Sequence, residues 1–408
     1  MIVRIAIKCD TCDQPHTLRI GLGQENTQAH QFNCRNCSEK ISVSIDLDYA
    51  RAGTRFRSVE NCIEIEEVPG AYIVNLEADF LVPESEQGKD FSFFRLQQFH
   101  EITKRRELAL RFAGKQLRFV ADAKELTRPD YAGEFKELKK AWSLARNGHH
   151  KLSKNKVTEA NSGRHKKQPV DDLADWVFRF ASAITRPSYE VTFLSSINAI
   201  RDVSSAPEFR RMAEDLALNA NIRGENYLDI MRGFFQNFSE FSQTYLLVSE
   251  GLIIDDRLKA TSIGFDAVRA FYGDCFERFV TLTDILAFAN NIAMGRNYDK
   301  FERLSLAEYR KLDKANRFGP FSMNVAFINL CAEANPSIRN ASHHGSFSFN
   351  PTTQVIAYRS GKGGHGPQQH MTYVEYLEKC VRIFMQTMCL LRIELVVASG
   401  LGLQPPLS

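Results

Sequence analysis

Two pairs of cysteines, each with two residues between its members, place the strongest constraint on the fold of this chain. The pairs read Cys9-Asp-Thr-Cys12 and Cys34-Arg-Asn-Cys37. A CxxC pair can form a tight knuckle that presents two thiolates, and two knuckles together close a tetrahedron around one ion. The spacing therefore predicts a structural zinc site whose ligands are Cys9, Cys12, Cys34 and Cys37. Four thiolates fill the coordination shell and leave no open position for catalysis.

Segments near these cysteines alternate between apolar and polar residues, which is the period of a β-strand. Strands are predicted at residues 16–23, 40–47, 61–68 and 71–82. Strands around two cysteine knuckles resemble a zinc ribbon. Two roles stay open for this ribbon: holding a small sheet together, or also touching nucleic acid or a partner protein.

The composition is that of an ordinary globular protein with a sizeable core. The chain has 408 residues, of which 44% are hydrophobic and 25% charged, enough for two or three domains. Its net charge of +3 neither demands nor excludes nucleic acid, so any basic surface must be local. We find no secretory signal and no apolar run of the roughly 18 residues that a spanning helix needs. We therefore expect a soluble cytoplasmic protein that does not associate with membranes.

A basic stretch at residues 146–168 carries seven Lys or Arg residues and a single acid, Glu159. Apolar residues are sparse there, so the stretch is a poor candidate for core. It is interpreted as a solvated linker or as a flexible basic arm that follows a phosphate backbone, and both can hold at once. The main domain boundary is placed here.

The predicted fold class is α+β. Residues 1–85 form a zinc ribbon with a small β-rich domain, and residues 86–145 a helical connector with a helix at about 91–112. Residues 146–168 form the basic linker, and residues 169–408 a mainly α-helical domain, because apolar residues recur there at spacings of three and four. Residues 321–334 are predicted to form one buried helix of that domain.

The late part of the helical domain contains a short polar helix followed by β structure. Asn335 is a good N-cap before Pro336, which predicts a helical segment at 336–344. Residues 346–359 alternate around Asn350-Pro351 and predict a β-hairpin. A glycine-rich loop follows at 360–366, and a final helix is expected from Thr372 to about Leu395.

The short polar helix contains Arg339 and, after four intervening residues, His344. This spacing resembles the R-x(4–6)-H motif of HEPN domains, and Asn340 matches the polar residue that commonly follows the arginine there. The setting is similar as well, because the motif lies late in a mainly helical domain between long helices. The resemblance covers about residues 226–400.

The resemblance implies a metal-independent endoribonuclease that acts as a homodimer, with the motifs of two protomers in one composite cleft. It also implies a role in phage defence or as a regulated toxin, with RNA as substrate and a phage-derived trigger or partner protein. RNA carries its own nucleophile, the 2′-OH beside the phosphate. His344 suits acid–base work at neutral pH, and Arg339 suits the charge that develops on the phosphate. No cofactor is then needed for catalysis.

Helical geometry adds a second histidine to the candidate site. Residues four apart share a helix face, so Arg339 lies on the same face as His343 rather than His344. The predicted catalytic residues are therefore Arg339, His344, Asn340 and His343. In the glycine-rich loop, Lys362 and His365 are predicted to contact the substrate phosphate.

A second interpretation involves no enzyme. Arg339 and the histidines can simply cap helix ends or bind a carboxylate. The chain is then a non-catalytic nucleic-acid-binding or dimerisation module with a structural zinc. A third reading is a protein–protein adaptor that uses the helices rich in aromatic residues.

Overall fold

The fold is α+β, with small sheets in the N-terminal region and helices in the C-terminal region. The computed structural model describes residues 2–21, 27–48, 53–76, 81–83, 130–163, 169–261, 263–343, 347–360 and 365–407. The helix predicted at about 91–112, the motif residue His344 and the loop residue Lys362 lie outside the described residues. The same is true of the side chain of His343.

The N-terminal region forms two antiparallel hairpins, and each hairpin turn carries one cysteine pair. Its strands are β1 (Ile2–Cys9), β2 (Pro15–Gly21), β3 (Thr27–Asn33), β4 (Lys40–Asp48), β5 (Gly53–Glu60), β6 (Cys62–Glu64) and β7 (Tyr72–Leu76). The first sheet has the order β6-β1-β2-β7 and the second the order β3-β4-β5. The strands predicted at 16–23 and 40–47 are therefore present, whereas the one predicted at 61–68 is only three residues long.

The alternation in these strands builds a separate small core. Leu18 and Ile20 on β2 and Ile41, Val43 and Ile45 on β4 are all buried. Because successive side chains point to opposite faces of a sheet, each strand supplies every second residue to this core. Burying one such side chain fully is worth about 1.5–3 kcal/mol, so the ribbon gains a stable base for its two turns.

The range predicted as one strand, 71–82, contains residues of two described strands that belong to different sheets. Its last residues belong to β8 (Leu81–Pro83), which pairs with β9 (Leu258–Ala260) of the helical region. Leu81 is part of the large helical core rather than the ribbon core. The change from one core to the other therefore falls between Leu76 and Leu81, within the range predicted as one strand.

Thirteen helices are described in the rest of the chain. They are α1 (Tyr131–Arg146), α2 (His150–Gly163), α3 (Leu173–Thr185), α4 (Glu190–Asp202), α5 (Pro207–Leu218), α6 (Ala220–Gln236), α7 (Phe238–Ser249), α8 (Phe265–Leu282), α9 (Asp284–Ala293), α10 (Leu306–Lys311), α11 (Val325–Ile328), α12 (Pro336–His343) and α13 (Tyr373–Leu401). None of these described helices combines the length and apolarity of a membrane span.

Helix α13 is the centre of the helical region and packs against α3, α6, α7 and α8. It begins with a capping box, in which Thr372 and Glu375 bond each other's backbone N–H, and it ends at Gly402 in the left-handed region (φ 64°). It therefore runs six residues beyond the predicted end at Leu395. Every side chain from Ile383 to Leu395 is buried, because this part of the helix has partners on all sides.

The basic stretch predicted as a linker is largely helical. Helix α2 occupies 150–163 and packs against α1, with Ser153 and Val157 buried in the contact. The side-chain amide of Asn161 also bonds both the N–H and the C=O of Val170, at 2.8 and 2.9 Å. Two buried residues four positions apart are enough to seat one face of a helix, although the stretch as a whole is polar.

The single helix predicted at 321–334 is also wrong, because short turns replace it. A 3₁₀ turn ends at Phe321, α11 spans four residues, and a second 3₁₀ turn covers Asn329–Cys331. The buried residues Phe327 and Leu330 are three positions apart, a spacing that matches the 3₁₀ repeat better than a long α-helix.

The predicted hairpin after the motif is present, and a third strand joins it. Strands β10 (Ser348–Asn350), β11 (Val355–Arg359) and β12 (Gln368–Thr372) form one antiparallel sheet. In its first turn the side-chain oxygen of Asn350 accepts the N–H groups of Thr352 and Thr353, both at 3.0 Å. This Asx turn explains why Asn-Pro marks the bend.

Candidate functional site

The four N-terminal cysteines lie together at the tips of the two hairpins. Their sulfur atoms are all within 4.8 Å of one another. The Sγ atoms of Cys9 and Cys37 are 3.7 Å apart, and those of Cys12 and Cys34 are 3.5 Å apart. Metal–sulfur bonds of about 2.3 Å in a tetrahedron place the sulfurs about 3.8 Å apart. The geometry therefore suits a four-coordinate structural metal site.

The two knuckles share the same backbone geometry. The N–H of Asp13 donates to the C=O of Cys9, and the N–H of Ser38 donates to the C=O of Cys34, both at 2.9 Å. Both donors follow the second cysteine of their pair, and both have left-handed backbones, with φ of 57° and 62°. An L residue adopts this conformation at a cost, so the same turn at both sites indicates a shared requirement of the cluster.

The environments of the thiols differ within the cluster. Hydrogen bonds from the backbone of Gln14 and the side chain of Asn36 lower the pKa of Cys12 to about 6. Burial raises the pKa of Cys34 to about 12. A bound cation favours the thiolate form, so a metal would bring Cys34 to the charge state that Cys12 already reaches.

His16 joins the knuckles from outside the cluster. Its Nε2 accepts the backbone N–H of Arg35 at 3.2 Å, and its Nδ1 lies 3.0 Å from the C=O of Gln14. The first contact requires an unprotonated Nε2, so Nδ1 carries the hydrogen and donates it. Burial lowers the pKa of His16, which favours this neutral form. His16 therefore ties one knuckle to the other and is not a fifth ligand.

The motif helix α12 begins as its sequence predicts. The side-chain oxygen of Asn335 accepts the N–H groups of Ser337 and Ile338, at 2.9 and 3.2 Å. The helix packs against α8, and the hydroxyl of its buried Ser342 lies 3.1 Å from that of Tyr376 on α13. These contacts fix the position of α12, and hence of Arg339.

Arg339 lies on the partly open side of α12, with 27% of its side chain exposed. Its Nη1 donates to the side-chain oxygen of Asn340 at 2.8 Å. Its Nε is in ionic contact with a carboxylate oxygen of Glu277 on α8. Neither atom of that contact has the geometry of a directed hydrogen bond. The guanidinium is thus held at one edge and accessible at another.

A further cation, Lys314, lies near Arg339, and the sequence patterns missed it. The pKa of Lys314 is lowered, first by burial and then by the charges of Arg317 and Arg339, while Glu277 opposes this shift. Within the described part of the chain, Lys314 has no ion pair. Arg317 is buried and paired with Asp284 at 3.1 Å. Lys314 and Arg317 sit in an irregular segment before the motif, so no helical or strand period pointed to them.

The structure describes only some of the remaining residues that were predicted for the site. The structure brings Arg339 and Asn340 into contact, and His343 forms the last residue of α12. His365 is exposed and lies at the base of the glycine-rich loop, next to the Gly366 N–H bond to the Ser360 C=O at 2.7 Å. No described contact joins His365 to Arg339. The strand that leads into this loop, β11, does pack against α12.

The cysteine cluster and the motif region are connected through the hairpin β10–β11. The hydroxyls of Ser38 and Thr352 form a hydrogen bond, and the backbone N–H of Ile263 donates to the C=O of Gln31 at 3.0 Å. The side-chain amide of Gln354 in turn bonds the N–H and C=O of Ala260 at 2.8 and 2.7 Å. The ribbon is therefore docked on the strands next to the motif helix.

Comparisons with known proteins identify no relative. No protein-family model matches the chain, and neither a curated protein nor a solved structure matches it.

Proposed function

We propose that this chain is a metal-independent endoribonuclease of the HEPN type with an N-terminal zinc ribbon. The observation that carries the proposal is the setting of Arg339. It is a partly exposed guanidinium on a short capped helix, it is bonded to Asn340, and it precedes the histidine pair by four residues in the sequence. A residue held in this way is suited to a phosphate group that arrives from solvent.

The proposed reaction uses the 2′-OH of the RNA as the nucleophile. A histidine of the motif, His344 first and His343 second, removes the 2′ proton, and a histidine also protonates the leaving 5′ oxygen. Arg339 stabilises the negative charge on the phosphorane. The products are a 2′,3′-cyclic phosphate and a free 5′-OH. In a homodimer, the acid and the base come from the two protomers.

The ribbon has a structural and a regulatory role in this proposal. Zinc is the ion that four thiolates at tetrahedral distances suit best. A ribonuclease without restraint damages its host, so the ribbon is proposed to respond to a phage-derived trigger or partner protein. Its docking on the hairpin beside α12 supports such a connection. Phage defence or growth arrest is the corresponding biological role.

The test is expression of the wild type, Arg339→Ala and His344→Ala from a tightly controlled promoter, with and without phage challenge. Growth is followed, and total RNA from each culture is separated on a gel. We expect cleavage in the wild type and intact RNA in both variants. Purified products should resist 3′-end ligation until the cyclic phosphate is removed.

Arg257→Ala is the matched control, because Arg257 is exposed and paired with Asp255, two positions away. It should cleave like the wild type. Intact RNA in the wild type under all conditions, with a folded dimer and bound metal, would contradict the enzyme proposal.

A second candidate function is nucleic-acid binding without cleavage, and the hairpin of α1 and α2 favours it. Residues 131–163 carry seven Lys or Arg residues against three Glu. Lys136, Lys151 and Lys154 are exposed on this hairpin. Such a surface binds phosphates with an affinity that falls steeply with salt. Salt-dependent RNA binding that survives Arg339→Ala and His344→Ala, without any cleavage, would favour this function.

A further inference from the structure

A cavity of about 580 Å³ lies beside the segment that separates α9 from the motif helix. Its apolar lining includes Phe301, Leu304 and Phe321, and its polar lining includes Asn291, Asn316 and Asn324. A volume in this range, with apolar walls and a few fixed polar groups, is typical of a small-molecule site.

Two arginines and one acid, Glu302, line this cavity, and neither arginine is paired with that acid. Neither Arg296 nor Arg303 forms an ion pair or a side-chain hydrogen bond with any residue that the structure describes, and Nε of Arg296 is buried as well. Other arginines nearby are paired, such as Arg310 with Asp215 at 3.0 Å. A buried N–H without an acceptor is costly, which points to an anion as its missing partner.

The amide groups of the cavity are held in fixed positions. Nδ2 of Asn290 donates to the C=O of Pro320 at 2.8 Å, and its Oδ1 accepts from Nδ2 of Asn324 at 3.1 Å. Nδ2 of Asn291 donates to the C=O of Tyr298 at 2.9 Å. The Oδ1 atoms of Asn291 and Asn324 have no partner among the described residues. They are acceptors for an amino or imino group of a ligand.

We propose that this cavity binds a nucleoside phosphate. The phosphate pairs with Arg296 and Arg303, and the base lies against Phe301 and meets the amide of Asn324. Inorganic phosphate alone would satisfy the arginines and leave the apolar walls uncovered. An uncharged apolar ligand would leave the arginines without an anion. A nucleotide supplies both the anion and the flat heterocycle.

The cavity shares a chain segment with the environment of Arg339. Asn316 lines the cavity, and two residues before it Lys314 is close enough to Arg339 and Glu277 for their charges to act on it. A nucleotide next to the scissile phosphate of an RNA strand is therefore one source of the ligand, and a free nucleotide is the other. The RNA source rests on the proposed function, whereas binding of the nucleotide itself does not.

The test is calorimetry on the purified 408-residue chain with AMP, GMP, CMP, UMP and inorganic phosphate as separate probes. We expect at least one nucleotide to bind with a Kd of roughly 1 mM or tighter. Phosphate alone should bind at least tenfold more weakly. Arg303→Ala should weaken the nucleotide at least tenfold, while Arg257→Ala should leave it unchanged. Because Arg303 is exposed, its removal is not expected to unfold the chain.

A second arm separates the two sources of the ligand. It uses Arg339→Ala and a 2′-O-methyl oligoribonucleotide, which cannot be cleaved through its 2′ oxygen. If the oligonucleotide competes with the mononucleotide for binding, and Arg303→Ala abolishes this competition, the cavity is a subsite for RNA. Mononucleotide binding without competition supports a free-nucleotide site. Either result stands even if the wild type cleaves no RNA. No nucleotide binding, or binding unaffected by both Arg303→Ala and Arg296→Ala, would overturn the proposal.

Discussion

The hydroxyl oxygens of Ser38 and Thr352 lie 3.1 Å apart, although 314 positions of chain separate the two residues. Ser38 follows the last cysteine of the cysteine cluster, and Thr352 sits in the turn of the hairpin that follows the motif helix. The second cysteine knuckle thus touches a part of the chain only a few residues beyond the candidate active site.

Metal removal should disturb the ribbon first. We expect about one zinc per chain in the purified protein, measured by elemental analysis. Cys34→Ser should lose that zinc and unfold the ribbon, because structural zinc contributes directly to folding. Cys62→Ala is the matched control, since Cys62 is buried close by and is not one of the four clustered thiols. Zinc retained in Cys34→Ser would contradict the assigned ligand set.

The contact between Glu277 and Arg339 should matter for cleavage. Glu277→Ala leaves the guanidinium without its ionic partner on α8, so its orientation toward substrate should be lost. We expect RNA cleavage to fall by about tenfold to a hundredfold, the size of effect that small misplacements of catalytic groups produce. Initial rates on a labelled RNA at saturating concentration measure it.

Asp266→Ala is the control for that variant. It removes an exposed acid of the same helix, α8, that is paired with Arg269 rather than with Arg339. Its rate should equal that of the wild type. Wild-type cleavage in Glu277→Ala would mean that the ionic contact does not position the arginine.

His30 should make the ribbon less stable in acid. It is fully buried, its ring nitrogens have no hydrogen-bond partner among the described residues, and burial lowers its pKa to about 4. Its pKa in the unfolded chain is about 6.5. Below pH 6.5 only the unfolded chain takes up this proton, so stability falls as the pH falls, until the folded form is protonated near pH 4.

Lowering the pH from 7 to 5.5 should reduce the free energy of unfolding by about 1.2 kcal/mol, because the unfolded chain protonates His30 and the folded chain does not. Denaturant titration of the zinc-loaded protein at both pH values measures it. His30→Leu should show a correspondingly smaller dependence on pH, whereas His150→Gln, at an exposed position, should behave like the wild type. An unchanged pH dependence in His30→Leu would rule out this origin.

Glu394 should be essential for the stability of the helical region. It is buried on α13, and it accepts hydrogen bonds from Nε of Arg223 at 2.8 Å and from the hydroxyl of Tyr227 at 2.5 Å. Glu394→Ala leaves the buried guanidinium without its counter-charge. We expect a loss of about 3–5 kcal/mol in the free energy of unfolding. Denaturant unfolding followed by circular dichroism measures it.

The double variant Arg223→Met/Glu394→Leu tests whether the loss comes from the unpaired charge. Replacing both partners by apolar residues of similar size removes the buried charge, so most of the stability should return. A double variant as unstable as Glu394→Ala would show that packing, rather than charge, dominates at this position.

Features fixed by neighbouring residues were the ones that the sequence predicted correctly. The two cysteine knuckles, the N-cap at Asn335 and the turn at Asn350-Pro351 each depend on a few adjacent residues. Glu277 was missed because its contact with Arg339 joins residues 62 positions apart, and no local period marks it. The same holds for the pairing of β8 with β9.

Other errors arose because the hydrophobicity of a segment was taken to decide whether it forms a helix. The stretch that became α2 has few apolar residues, yet Val157 and Ser153 fall on one face and find a surface on α1. In contrast, the residues from 321 to 334 are apolar enough for a helix, but Phe327 and Leu330 fit tighter turns. In both places tertiary packing outweighed the local pattern.

The pairing of β8 with β9 has a consequence for any attempt to divide this chain. A fragment that starts at residue 169 would leave Leu258–Ala260 as a strand without its partner, since Leu81–Pro83 lies before the cut. It would also expose the apolar surface that Phe135 and Trp142 of α1 cover. Bare strand edges and uncovered apolar patches promote aggregation. Poor solubility of a truncated helical domain would thus reflect where the chain was cut rather than an unstable fold.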